Sequence, residues 1–275
     1  MYLKQTDATV ITVALQKGGT GKSTTANAIG AYMSKQGATV LYVDLDPQGS
    51  LSYTLGADAG EPSVHDVLMR THTAEEAIQS INDYDVLASA PALSGADELI
   101  AGLGKEYRLR EALEGLRRAP TNYDYIVIDT PPALGILTIN ALTAADYLLM
   151  AAQADAYSLR GITQLMQTVE TVRKYANPDL SILGIALTRY SARTTLAQEV
   201  AGVLEASAEA QGLRLLNARI REATAIREAQ AYRRTIFEHA PRSNVAEDYR
   251  ALAGEVLALI HDDQTEKKLA KESKA

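Results

Sequence analysis

The chain has 275 residues, 47% of them hydrophobic, a formal net charge of −7 and no cysteine. That length supports one domain with a sizeable core. The missing thiols exclude disulfides, iron–sulfur clusters and cysteine-ligated zinc, and the acidic balance argues against a generally basic nucleic-acid binder, leaving room only for a local basic patch.

The opening MYLKQTDATVITVAL has no long apolar segment behind a positive start, so no signal peptide is expected. No apolar run is long enough for a membrane-spanning helix, and a cytoplasmic protein is the expectation. Runs 9–15, 39–45, 84–90, 124–130, 147–153 and 181–188 read as strands, with 213–220 a candidate for one more. Several are apolar on both faces, as in a parallel sheet covered on both sides. Helical periodicity spans about 22–36, 96–118, 135–144, 158–176, 192–211 and 244–261. The stretch 56–83 reads as short surface helices and loops. This alternation predicts an α/β fold, a doubly wound, mostly parallel sheet flanked by helices, with the strand C-termini gathered along one edge. No repeat or linker divides the chain. One domain is expected over 1–262, followed by a charged, disordered tail over 263–275.

LQKGGTGKST, residues 15–24, follows the first predicted strand and opens the first predicted helix. The usual phosphate-loop pattern, G-x-x-x-x-G-K-[ST], has a glycine where this chain has Gln16, and a second lysine, Lys17, precedes the glycines. Gly18, Gly19 and Gly21 let the backbone aim its N–H groups at an anion, and the helix beginning near Lys22 adds its positive dipole end. Lys17, Gly18, Gly19, Thr20, Gly21, Lys22, Ser23 and Thr24 are therefore the candidate nucleotide contacts. Lys22 is placed to reach the β and γ phosphates of ATP, and the Ser23 hydroxyl to ligate Mg²⁺. Asp129 ends the apolar strand YIVID, where an unpaired carboxylate would be costly unless a cation stood nearby. Asp44 and Asp46 end the second strand and point to one side, although either could simply cap the following turn. Ser23, Asp44 and Asp129 form the candidate metal set.

KGGTGKST, DLDPQGS and YIVIDTPPALGILTINAL, with the later RTTLAQEV, IREATAIREAQAY and RSNVAEDYRALAGEVL, resemble the ParA/Soj partition ATPases of the ParA/MinD deviant Walker A family, over about residues 8–260. The resemblance implies a P-loop NTPase fold, weak ATPase activity stimulated by a partner, and a homodimer with ATP sandwiched between the subunits. Lys17 matches the family's signature lysine, which reaches the nucleotide held across the dimer. Two facing ATP molecules repel strongly, and a lysine from each side offsets that repulsion. Lys17 and Lys22 are thus expected to act in catalysis. Asp44 matches the acid that positions the attacking water, and Pro131, Pro132 and Gly135 match the second switch region.

Residues 189–242 hold nine arginines against six glutamates. Taken alone, they read as ion-paired helix faces. The resemblance implies non-specific binding of double-stranded DNA there. Arg193 matches a family arginine assigned to DNA, and Arg189 lies nearby. A second family arginine falls on Ala225, so its role would pass to Arg219, Arg221 or Arg227. The family proline at 221 is absent, so the resemblance does not assign the wall of the adenine pocket. The implied function is segregation of chromosome or plasmid DNA with a ParB-like adaptor, in the cytoplasm and on the nucleoid. A MinD-like membrane-cycling ATPase is an alternative, but its basic amphipathic tail helix has no counterpart here. A ParA-like positioner of a cargo other than DNA is another.

Overall fold

The apolar runs become strands because both of their faces find cover. The computed structural model describes residues 7–58, 60, 62–118, 123–191 and 195–273. Its strands are β1 (Thr9–Ala14), β2 (Val40–Asp44), β3 (Ile78–Ile81), β4 (Tyr84–Leu87), β5 (Tyr125–Asp129), β6 (Tyr147–Ala152), β7 (Ser181–Tyr190) and β8 (Leu215–Arg221). Its helices are α1 (Lys22–Lys35), α2 (Ser50–Leu55), α3 (Val64–Leu68), α4 (Ala74–Ala77), α5 (Ala96–Leu99), α6 (Arg108–Arg118), α7 (Ile136–Ala144), α8 (Ala156–Tyr175), α9 (Thr195–Ala210), α10 (Thr224–Ala231), α11 (Ile236–His239) and α12 (Asn244–Glu272).

The sheet runs β3-β4-β2-β5-β1-β6-β7-β8 and is parallel except for the β3–β4 pair. Side chains alternate across it. Val10, Ala14, Leu41 and Ile126 join one core with α6, α7 and α8, while Ile11, Val13, Tyr42 and Val127 join a second core with α1 and α12. Each fully buried leucine or isoleucine in these layers contributes about 1.5–3 kcal/mol. The chain winds outward from β1 to β2 and β4, returns to β5, and then builds β6 to β8 on the other side. The reversal leaves a crevice at the C-terminal ends of the central strands, where such sheets bind ligands. Among the described residues no helix is long and apolar enough to cross a membrane.

Three expectations are corrected. Within the predicted surface region 56–83, β3 forms an antiparallel hairpin with β4. The helix expected over 96–118 is broken: Gly102 and Gly104 take φ of 97° and 73°, a left-handed backbone that ends α5 before α6 begins. Finally, α12 runs beyond the expected 244–261, to Glu272. Its polar side chains hold the N-terminal ends of the strands. Tyr147 Oη donates to Asp263 at 2.6 Å, Gln264 to Thr9 Oγ1 at 3.1 Å, and Lys267 to Ser181 Oγ at 3.1 Å. These bonds give a segment with almost no apolar residues a row of polar anchors.

Candidate functional site

The loop after β1 turns sharply because Gly19 and Gly21 hold φ of 73° and 84°. It is also tied to its neighbours. Thr188 Oγ1, near the end of β7, donates to the Thr20 carbonyl at 2.5 Å and to that of Ala152 at 3.0 Å. Gln153 Nε2 donates to the Gly19 carbonyl at 2.9 Å. These bonds hold the loop in its cradle shape. It borders a cavity of about 430 Å³, whose lining includes Gly18 to Thr24, Asp46, Pro132, Arg221, Ile226 and Tyr249. A nucleotide would bury much of its surface in a space of that size.

Lys22 opens α1 and is buried, its Nζ donating to the Lys17 carbonyl at 3.0 Å. Burial pulls its pKa below the usual lysine value, while the charges of Asp129 and Asp46 pull the other way. Sheet register explains that company. Asp44 and Asp129 face each other across the β2–β5 ladder, and Asp129 pairs with Val13 of β1. Both carboxylates are fully buried.

The two acids differ in their partners. Asp44 Oδ2 accepts from the Ser52 amide and hydroxyl, each at 2.8 Å, and Oδ1 accepts from the Asp46 amide at 3.1 Å. Burial nevertheless pushes its carboxyl up to about 6. Neither oxygen of Asp129 has a hydrogen-bond partner among the described residues. Burial, and next the charge of Asp44, raise its pKa well above the usual range, against the opposing pull of Ser23 and Lys22. Ser23 is close enough to favour its charge without standing in hydrogen-bond geometry. A buried, unbonded carboxylate beside a second carboxylate is costly in an empty protein. Oxygen donors of this kind suit a hard divalent cation that keeps part of its water. The residues therefore fit magnesium, with Ser23, Asp44 and Asp129 available to it directly or through water.

Lys17 does not face this pair. Its Nζ forms an ion pair with Asp155 and donates to Gln153 Oε1 at 3.0 Å. Asp155 caps α8 by accepting from the Ser158 amide at 2.9 Å. Burial pushes its carboxyl up, but Lys17 and Ser158 outweigh that and leave it below the usual range. Sequence reading missed Gln153 and Asp155, as it missed Ser52 and Thr188. An aspartate between a strand and a helix signals an N-cap, but nothing in sequence pairs it with a lysine 138 positions away.

The structure gathers three of the candidate arginines at the same cavity. Arg189, Arg221 and Arg227 line it. Arg189 pairs with Glu222 at 2.5 Å, and its other arm reaches the Gly19 carbonyl at 3.4 Å. Arg221 makes a forked pair with Asp248 at 2.6 and 2.8 Å. Arg219 lies apart on β8, with a buried Nη1 that has no partner among the described residues. Arg193 lies outside the described residues.

An AAA-domain family model matches residues 8–182. The chain is 39% identical over 254 residues to the sporulation initiation inhibitor protein Soj of Bacillus subtilis, covering 90% of this chain and 98% of that protein. It is equally similar, over 252 residues, to the chromosome-partitioning ATPase Soj of Thermus thermophilus, covering 92% and 96%. Among solved structures, a cobyrinic acid a,c-diamide synthase from Mycobacterium smegmatis with a bound ATP analogue and magnesium superimposes with a TM-score of 0.78 at 35% identity, covering 91% of this chain and 94% of that one. Likeness of this extent, running through the phosphate loop, both buried acids and the last helix, means that the chain belongs to the Soj/ParA family of partition ATPases.

Proposed function

We propose that this chain binds ATP with Mg²⁺, dimerises around it, binds double-stranded DNA without sequence preference in that form, and segregates chromosome or plasmid DNA with a ParB-like adaptor. The observation that carries the nucleotide part is Asp129, a buried carboxylate with no bonded partner, set beside Lys22, Ser23 and Asp44. The support for partition is the family to which the chain belongs.

In this reading the loop amides and Lys22 hold the phosphates. Ser23, Asp44 and Asp129 hold magnesium, which when bound offsets phosphate charge that the loop alone would meet with one lysine. Asp44, fixed by Ser52, orients the attacking water through its free lone pairs. It is a poor base when ionised, so positioning is its contribution. Lys17 exchanges Asp155 for the phosphates of the partner's nucleotide, so triphosphate and dimer stabilise each other.

Sedimentation tests the dimer. The wild-type chain should sediment as a dimer with Mg²⁺ and ATP and as a monomer without them. Lys17→Ala should bind ATP and stay monomeric. A variant that dimerises like the wild type would remove Lys17 from the interface.

A further inference from the structure

We infer that the segment from Ser89 to Asp97 is a strap joining the loop of Asp44 and Asp46 to the first turn of α7, with Ser89 and Asp97 as positioning residues for ATP hydrolysis. The inference rests on the ATPase reading above and assigns roles that the phosphate loop and the two buried acids do not cover.

At its first end the strap holds the Asp44 loop. Ser89 is buried just beyond β4. Its hydroxyl donates to the Asp46 carbonyl at 2.5 Å, and its amide donates to Ser52 Oγ at 3.0 Å. That same Ser52 oxygen donates to Asp44 Oδ2 at 2.8 Å. Ser89 thus touches both groups that set where the Asp44 carboxylate points.

At its other end the strap caps α7. The natural N-cap of that helix, Gly135, has no side chain to offer. Asp97 supplies the missing acceptor from another element: its Oδ1 accepts from the Ile136 amide at 2.7 Å. The fit is close, since a Cβ on Gly135 would stand 2.5 Å from that oxygen. Helix N-termini favour a carboxylate by their dipole as well. The loop 131–135 that leads into α7 follows directly from Asp129, and Pro132 lines the cavity.

Between the ends the strap is not slack. Pro91 opens a 3-10 turn over Pro91–Gly95, with its φ fixed by the ring. Leu93, Ala96 and Ile100 are buried in one core with Ile136 and Leu137 of α7. Close-packed side chains transmit a shift rather than absorb it. A movement of loop 131–135 as the terminal phosphate arrives or leaves would reach Asp97, pass along the strap through its buried Leu93 and Ala96, and alter the hold on Asp46 and Ser52. Each side of the magnesium site would then register the state of the other.

The test is steady-state ATP hydrolysis with Mg²⁺ and duplex DNA for wild type, Ser89→Ala, Asp97→Ala, Asp97→Asn and the Ser89→Ala/Asp97→Ala pair. Each alanine variant should lower kcat about threefold to tenfold, the range over which residues between coupled sites act. KM for ATP should stay within about twofold, because ground-state binding is left intact. Asp97→Asn keeps an acceptor oxygen and should recover most of the rate. The double variant should be no slower than the slower single, since one broken link already uncouples the ends. Additive losses, or losses confined to KM, would overturn the strap. Hydrogen exchange gives a second reading that needs only the exposed Asp97. Nucleotide-induced protection of the amides at 46–49 should shrink in Asp97→Ala, and unchanged protection there also overturns the proposal. A wild-type chain without turnover would reject the ATPase reading and the strap together. Turnover in the wild type with additive variants rejects the strap alone.

Discussion

The two charged regions around the cavity are built on opposite principles. At the ends of β2 and β5, charge is buried and left incomplete: Asp129 has no bonded partner and Asp44 sits across from it. At the ends of β7 and β8, charge is exposed and already answered within the chain, Arg189 by Glu222 and Arg221 by Asp248. The first arrangement costs folding energy that only a bound cation or a captured proton returns. The second costs little and contributes little, as exposed ion pairs do. Incompleteness therefore points to a ligand far more strongly than abundance of charge. A count of arginines does not.

The largest effect that would break this contrast is catalytic. Asp44→Ala should keep ATP binding and dimerisation, because Lys17, Lys22 and the loop are untouched and Ser23 and Asp129 remain for magnesium. Hydrolysis should fall about 10²-fold or more, the scale of a positioned catalytic group. Turnover near the wild-type rate would move water positioning to another residue.

A stability measurement sharpens the contrast without any turnover. Burial pushes Asp44 up to about 6, and burial with the charge of Asp44 raises Asp129 well above the usual carboxylate range. A carboxyl raised on folding stabilises the folded state fully only below its unfolded value near 4, and that share is lost as pH rises through the folded value. The nucleotide-free chain should therefore lose stability from these two groups as pH climbs from about 4 past 6. Asp129→Asn removes one of the two charges, so its stability should exceed that of the wild type by an amount that grows over this window, reaching about 1–3 kcal/mol. With Mg²⁺ and ATP the order should reverse, since only the wild type gains from the ligand. A variant that melts below the wild type at pH 7 without nucleotide would mean that Asp129 is satisfied after all.

What sequence could supply follows the same division. The phosphate loop, Asp44 and Asp129 were legible because a strand, a turn and a helix in that order fix their positions locally. The sheet was legible because short apolar runs, and the helical periods between them, depend on neighbours along the chain. Pairings across the chain were not. Ser89 with Asp46, Asp97 with Ile136 and Lys17 with Asp155 depend on which loops the strand order brings together. The strand β3 escaped because IQSI is short and only partly buried, with little alternation to read. The arginines were visible as a set, but the acids that answer them were not assignable to partners.

For the arginine edge, two substitutions should act with opposite sign. Arg221→Ala should weaken binding to any duplex, with the salt slope smaller by about 1 for each phosphate no longer neutralised. Asp248→Asn releases the same guanidinium from its forked pair and should strengthen binding. Affinity measured with ATP at several salt concentrations, alongside sedimentation, separates the cases. Equal DNA binding in both variants would leave Arg221 as a wall of the nucleotide cavity only.

The smallest effect concerns the last turns of α12. Asp263 takes the Tyr147 hydroxyl and pairs with Lys267 at 2.8 Å, and the Lys267 ammonium also lies over the Tyr147 ring, 5.4 Å from its centre, near enough for the ring's negative face to attract it. Burial raises the Asp263 carboxyl, but Lys267 and Tyr147 outweigh it and hold it below the usual range. A carboxyl depressed on folding stabilises above its unfolded pKa, and that share is lost as pH falls through the folded value. The docking of the helix end should therefore be intact at neutral pH and weaken on acidification below about 4. The site is a third exposed, so Asp263→Ala should cost only about 0.5 kcal/mol of global stability. Locally the change should be larger. Amides from 263 to 272 should exchange much faster in Asp263→Ala than in the wild type at pH 7, while those of β1 and β6 keep their protection. Unstructured exchange rates over 263–272 in the wild type itself would show that the polar anchors do not hold, and that a segment this poor in apolar side chains stays loose after all.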